Sequence, residues 1–127
     1  MRRVIDTSAW IEWLLSSPIG KQIRQKIPGT VEIVAPTVVQ AELSKWLTRE
    51  ISGDAVDEMI AFTRECEVVA LSTSIALSAA DLAQKHRLAT ADAIIYATAL
   101  AHDAELLTCD GHFKDMPAVG YFAKQGH

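Results

Sequence analysis

Short apolar runs at residues 4–5, 31–35, 68–71 and 106–108 alternate with longer stretches of helical periodicity, and a further apolar run lies at 119–122. Consecutive strands separated by helices need crossover connections, which lay the strands side by side in parallel and cover both faces with helices. The alternation predicts an α/β fold, a three-layer α/β/α sandwich around a central parallel sheet of four to five strands. At 127 residues, half of them hydrophobic and 22% charged, the chain is expected to form one domain over 1–127 around one continuous core.

Local signals place the helices. Ser8 is expected to cap a helix over 8–15, Ser17-Pro18 to interrupt it, and a short basic helix to follow at 21–26 before the turn at Pro28-Gly29. Thr37 with Gln40 three residues later has the form of a capping box opening a helix to about 50, which Ser52-Gly53 ends. A helix over 55–65 presents Val56, Met59 and Ile60 on one face, and Ser72 and Thr73 offer caps for a helix to about 86. Thr90 is the expected cap of a helix over 91–102 whose residues are apolar or small on nearly every side, the mark of a buried helix.

A net charge of −4 and a pI near 5.5 argue against nucleic-acid binding through a basic surface alone. The charged start and the lack of a long apolar run predict neither a secretory leader nor a membrane span. Cys66 and Cys109 lie far apart without metal-ligand or redox spacing, so reduced thiols in a cytoplasmic setting are expected.

The chemistry is carried by acids. In an open parallel sheet, ligands bind outside the carboxyl ends of the strands. Asp6 and Asp110 follow the runs 4–5 and 106–108, Glu42 lies in the first turns of the helix leaving the second strand, and Asp92 opens the helix that feeds the fourth. All four are expected at one edge. Singly, Asp6 and Asp110 also suit turns and Asp92 a helix N-terminus. Glu42, at ~100° per residue between Val38 and Trp46 on the apolar arc of its helix, needs a partner. Four converging carboxylates repel unless a cation sits among them, and Mg²⁺ or Mn²⁺ suits an all-oxygen set. Zinc suits it poorly, since His86, His102, His112 and His127 show no spacing that joins them to the acids; His112 and His127 read as surface residues.

The runs Val4-Ile5-Asp6-Thr7-Ser8-Ala9-Trp10, Ala41-Glu42-Leu43, Ala91-Asp92-Ala93 and Leu107-Thr108-Cys109-Asp110, with Phe113 shortly after, together resemble the PIN domain family from end to end. The small size most resembles its VapC-type toxins. That resemblance implies a Mg²⁺-dependent endoribonuclease with Asp6, Glu42, Asp92 and Asp110 as catalytic and metal-binding acids. It also implies Ser8 and Thr108 as hydrogen-bonding supports, products with 5′-phosphate and 3′-hydroxyl ends, and silencing by a cognate antitoxin. Asp115 is a candidate fifth acid, although a loop aspartate is the simpler reading.

Two surfaces stand beside that site. Lys45 and Arg49 follow Glu42 at i+3 and i+7 and are candidates to touch flanking phosphates, against the alternative of a solvated helix face. Trp10, Ile11, Trp13, Leu14 and Leu15 spread over roughly 200° of the first helix, wider than a core-facing stripe, and Trp46, Leu47 and Ile51 add apolar bulk on another. Trp10, Trp13, Leu14, Trp46 and Leu47 are therefore expected at an antitoxin or homodimer interface, against the alternative that the tryptophans complete the core. The residues 53–71 carry none of the motif and are candidates to shape RNA choice. Competing classes lack their marks: no adjacent acid pair for a receiver domain, no glycine-rich turn after the first strand for a Rossmann binder, and Ser8 where a dehalogenase-type phosphatase needs a second aspartate. The remaining alternatives are a housekeeping RNA-processing nuclease and a PIN-fold interaction module without turnover.

Overall fold

The structure is a computed structural model that describes residues 1–124; His127 lies outside them. The chain runs β1 (Arg3–Ile5), α1 (Thr7–Leu14), α2 (Pro18–Gln25), β2 (Ile33–Pro36), α3 (Thr37–Glu50), α4 (Gly53–Thr63), β3 (Glu67–Val69), α5 (Thr73–His86), α6 (Thr90–Ala101), β4 (Glu105–Thr108) and β5 (Val119–Tyr121). The five strands form one sheet in the order β3-β2-β1-β4-β5, every pairing parallel. The α/β sandwich expected from the alternation is what forms.

Strand order dictates the layers. The connections β1→β2→β3 step one way across the sheet, and β3→β4 returns past them to the other side of β1. Right-handed crossovers then place α1 to α4 on one face and α5 and α6 on the other, in keeping with the packing of α1 on α2 and α3, α3 on α4, and α5 on α6. The inner strands are solidly apolar: Val4, Ile5, Ile33, Val34, Ala35, Leu106 and Leu107 are all buried, as strands covered on both faces must be. The expected buried helix is α6, where Ala93, Ile95, Tyr96, Ala97, Thr98 and Ala99 are enclosed.

Several helix starts differ from the sequence reading, and in each the backbone enters the helix earlier. Asp6, not Ser8, occupies the N-cap of α1 because β1 runs straight into the helix; the Ser8 hydroxyl is engaged elsewhere. Pro36 closes β2 and caps α3, so Thr37 is already helical, no capping box forms, and the Gln40 amide donates to Thr63 of α4. Ala89 stands at the N-cap of α6 in place of Thr90. Ser52 does not merely end α3: its hydroxyl accepts from the Ala55 amide and opens α4. Ser17 likewise caps α2, with Pro18 at its first position, where a missing N–H costs nothing. Ser72 caps α5 as expected. A 3-10 turn over Thr30–Glu32 replaces the start of the second expected strand.

Candidate active site

The sheet order reverses between β1 and β4, so the helices leaving and entering these neighbours diverge and open a crevice at their carboxyl ends. Asp6 and Asp110 sit there, one residue and two residues past those strands. The Asp6 amide donates to the Leu107 carbonyl at 2.9 Å, which fixes its backbone. Its side chain is buried, and Oδ2 accepts from Ser8 Oγ and Thr108 Oγ1, both at 2.8 Å. The same hydroxyls accept from the Cys109 and Asp110 amides, each at 3.0 Å, tying the loops after β1 and β4 to one carboxylate. Burial pushes the Asp6 carboxyl above the usual carboxylate range, and the Ser8 and Thr108 hydrogen bonds hold back part of that rise.

Glu42 enters from α3, just beyond β2, and its Oε1 accepts from Thr7 Oγ1. Thr7 is the partner that this carboxylate on an apolar arc required, and its place two residues before the helix's first buried residue gave no sign of it. Asp92 projects from the first turn of α6 and is half-buried. Burial first, and then the carboxylates of Asp6, Asp110 and Glu42, push its pKa up to about 6, with His112 acting in opposition. Each of the other three acids thus disfavours the charge on Asp92.

His112 corrects the sequence reading, which left it on the surface apart from the acids. Its ring is largely exposed, but Nδ1 lies 2.7 Å from Asp110 Oδ1, and its backbone amide donates to the same oxygen at 2.9 Å. Asp92, Asp110 and His112 place one ligand atom each within 4.8 Å of one another. The 3-10 turn Gly111–Phe113 accomplishes this by folding His112 back over Asp110. The spacing Asp-x-His in a tight turn was the available signal. Asp115 does not join this group; it lies exposed on a loop at φ 66°.

The donor set fits a divalent cation: it is rich in carboxylate oxygen, partly removed from water, and contains an acid whose charge is opposed by three others. A bound cation would reverse that local field and favour the ionised form.

Lys45 and Arg49 are exposed and border a crevice of about 250 Å³ with Thr7, Ile11, Glu42 and Trp46. The apolar residues expected at a partner surface divide. Trp10 and Leu47 are core, 1% and 2% exposed, because α1 and α3 pack their broad apolar arcs on the sheet and each other. Trp13 and Leu14 stand at the rim of a groove of about 340 Å³ that Trp10 and Leu47 floor and Arg24, Ile51, Ala55, Glu58, Met59 and Phe62 complete. Trp46 lines the crevice beside Glu42 instead.

A parallel sheet with Asp6 and Asp110 just past the carboxyl ends of its neighbouring strands β1 and β4 defines an α/β domain with an acidic edge. The chain belongs to the PIN domain family, which it matches over residues 3–119. Its fold is similar to that of a toxin–antitoxin complex from Klebsiella pneumoniae, with 24% identity, a TM-score of 0.78, and coverage of 93% of this chain and 95% of that one. It is also similar to VapBC2 from Rickettsia felis bound to a promoter DNA fragment, at 16% identity and a TM-score of 0.75 over 97% of this chain and 100% of the other. A third similar structure is Mycobacterium tuberculosis VapC20, a toxin described as cleaving the sarcin–ricin loop, at 17% identity and a TM-score of 0.72 over 91% and 95% of the two chains. Among curated proteins no sequence matches this chain.

Proposed function

We propose that this protein is a divalent-metal-dependent endoribonuclease acting as the toxin of a VapBC-type toxin–antitoxin pair. The observation that carries the proposal is geometric: Asp6 and Asp110 follow the paired strands β1 and β4, and Asp92, Asp110 and His112 place one ligand atom each within 4.8 Å of one another. Partly buried acids that oppose one another's charge are a cost to folding unless they serve to bind a cation. Membership of the PIN domain family and the likeness in fold to toxin–antitoxin structures support the toxin reading.

Asp6, Glu42, Asp92 and Asp110 would hold Mg²⁺, with Mn²⁺ as a substitute. When bound, the ion supplies Lewis acidity, lowering the pKa of water and offsetting charge on the scissile phosphate. The protein supplies orientation. Ser8 and Thr108 fix the Asp6 carboxylate through Oδ2, and Thr7 fixes Glu42, so two acids from different elements are held before any ligand arrives. Such supports keep ligands in place and cost about 10–100-fold in affinity or activity when removed. Among the described residues no serine or cysteine is hydrogen-bonded to a histidine, so an activated side-chain nucleophile has no support.

The groove between α1, α2, α3 and α4 would receive the antitoxin, its aromatic rim serving as anchor. A homodimer contact through the same helices is the alternative occupant of that surface. Cytoplasmic location follows from an RNA substrate and is compatible with the two free, buried cysteines; among the described residues, no helix is long and apolar enough to cross a membrane. The test is incubation of the purified protein with structured RNAs in Mg²⁺ or EDTA, alongside Asp6→Asn. Cleavage that needs Mg²⁺ and vanishes in the variant is expected, and cleavage surviving both treatments overturns the mechanism.

A further inference from the structure

The crevice beside Glu42 has a composition unlike that of the apolar groove. On α3, Glu42, Lys45, Trp46 and Arg49 fall within an arc of about 100°, and Thr7 and Ile11 of α1 form the facing wall. Lys45 and Arg49 are exposed; the nearest carboxylate to Arg49 is the equally exposed Glu50, 3.6 Å from Nε, a contact of little energetic weight. Trp46 is half-buried. Trp10 and Trp13 stack on one another with centroids 5.1 Å apart and both meet Phe62 edge-on, whereas Trp46 has no aromatic partner among the described residues. An indole side chain thus lines an open crevice together with two cations, next to an acid of the candidate active site, in a chain whose net charge is −4.

We propose that this crevice seats one unpaired nucleotide of the RNA substrate, its base lying against the Trp46 indole and its flanking phosphates reached by Lys45 and Arg49. The inference rests on the nuclease reading and adds to it which part of the RNA is gripped. A base in a duplex hides its face in the stack, so an aromatic platform selects single-stranded or splayed segments. Phosphates on both sides of a base repeat the order cation, ring, cation along the helix. An acidic protein segment matches the lysine and arginine but leaves the ring without a flat partner. Because every base has a π-face, the site sets position along the strand and is tolerant of sequence.

The test is fluorescence anisotropy of labelled oligouridylate and oligoadenylate with the full chain in EDTA, so that binding is read apart from cleavage. Trp46→Ala is expected to weaken binding about 10-fold, Trp46→Phe to restore most of it, and oligoadenylate to bind more tightly than oligouridylate. Replacing Lys45 and Arg49 together by Ala is expected to reduce the slope of log affinity against log salt by about 0.7 for each phosphate left without its cation. Unchanged affinity in Trp46→Ala, or equal loss in the Ala and Phe variants, overturns the proposal; so does an effect of Trp46→Ala confined to capture of a protein partner. If the wild type cleaves RNA with Mg²⁺ and Trp46→Ala binds normally, the subsite falls and the nuclease stands. If no RNA is cleaved yet binding depends on Trp46, the nuclease reading falls and the nucleotide site stands.

Discussion

The crevice beside Glu42 and the apolar groove both draw on α1 and α3 yet are built on opposite terms. α1 gives Thr7 and Ile11 to one and Trp10, Trp13 and Leu14 to the other; α3 gives Glu42, Lys45, Trp46 and Arg49 to the first, and Leu47 with the C-cap residue Ile51 to the second. At the ends of β1 and β4, short polar side chains bond to one another, so that Asp6 is held by two hydroxyls that also accept from backbone amides. In the groove, aromatic rings pack on rings, with Trp13 covered on one side by the Arg24 guanidinium 5.2 Å from its centroid. Directional bonds fix charged oxygens in advance, as an ion and a phosphate require. Non-directional apolar contact leaves a surface able to adjust to a partner.

The largest expected effect separates the two regions by chemistry. Asp6→Asn should lower RNA cleavage on the order of 10³-fold, while its melting temperature in EDTA should hold or rise, because a buried charge and its repulsion on Asp92 are both removed. Antitoxin capture should be unaffected. Parallel measurements of cleavage, thermal unfolding and co-purification decide it: a fall in all three would mean that Asp6 chiefly supports the fold.

Trp13→Ala should do the reverse, weakening antitoxin affinity by about 2 kcal/mol, roughly 30-fold, with cleavage nearly unchanged. Titration of the purified pair checks this, and unchanged affinity would remove Trp13 from the proposed interface. Trp10 is unsuitable for the same test, since at 1% exposure its truncation opens a core cavity.

How far the sequence foretold each region follows from the range of the interactions involved. The parallel sheet and the acids at its edge were legible because strand ends are local features, and topology then determines where the ends of β1 and β4 must lie. The division of the tryptophans was not. Periodicity shows that Trp10 and Trp13 share a broad apolar arc, but only the packing of α1 against α3 and the sheet decides which ring is covered. For the same reason residues 53–71, given a role in RNA choice on sequence grounds, place α4 against the apolar groove, with Met59 and Phe62 in its lining. Thr7 and His112 escaped notice because a hydroxyl next to an acid motif and a histidine in a loop are common, and their roles depend on how α3 and the turn after Asp110 approach. The capping box at Thr37 failed because Pro36 had already set the backbone for helix entry.

Gly20→Ala acts through the scaffold, where α2 packs on α1. A Cβ at Gly20 would stand 2.1 Å from the Glu12 carbonyl oxygen, so α2 must move away from α1. Overpacking of this kind costs about 1–3 kcal/mol. Because Arg24 of α2 lines the groove, antitoxin affinity should fall with stability. Cleavage at a temperature well below unfolding should change little, since α2 contributes nothing to the crevice. Denaturant unfolding, with cleavage measured on the same preparation, tests the separation; a proportionate loss of cleavage would show that the two regions are mechanically coupled.

The smallest expected effect is on the pH dependence of the crevice without metal. Asp92 titrates near 6 in the folded protein and near its ordinary value of 3.8 when unfolded. Below the lower value both states carry the proton and its raised pKa costs nothing. Between the two values the unfolded chain is ionised while the folded one retains its proton, so stability falls as pH rises; above the upper value both are ionised and the cost is complete. In EDTA the melting temperature should therefore carry a downward contribution between those limits that Asp92→Asn removes, and the raised pKa of Asp6 acts with the same sign. Added Mg²⁺ should invert the trend, since its binding competes with the proton on Asp92. The thermal shift it produces should be greater at about pH 7.5 than at about pH 5. Equal shifts at both would mean that the cation binds without displacing that proton, and would detach Asp92 from the metal site while leaving the groove as it stands.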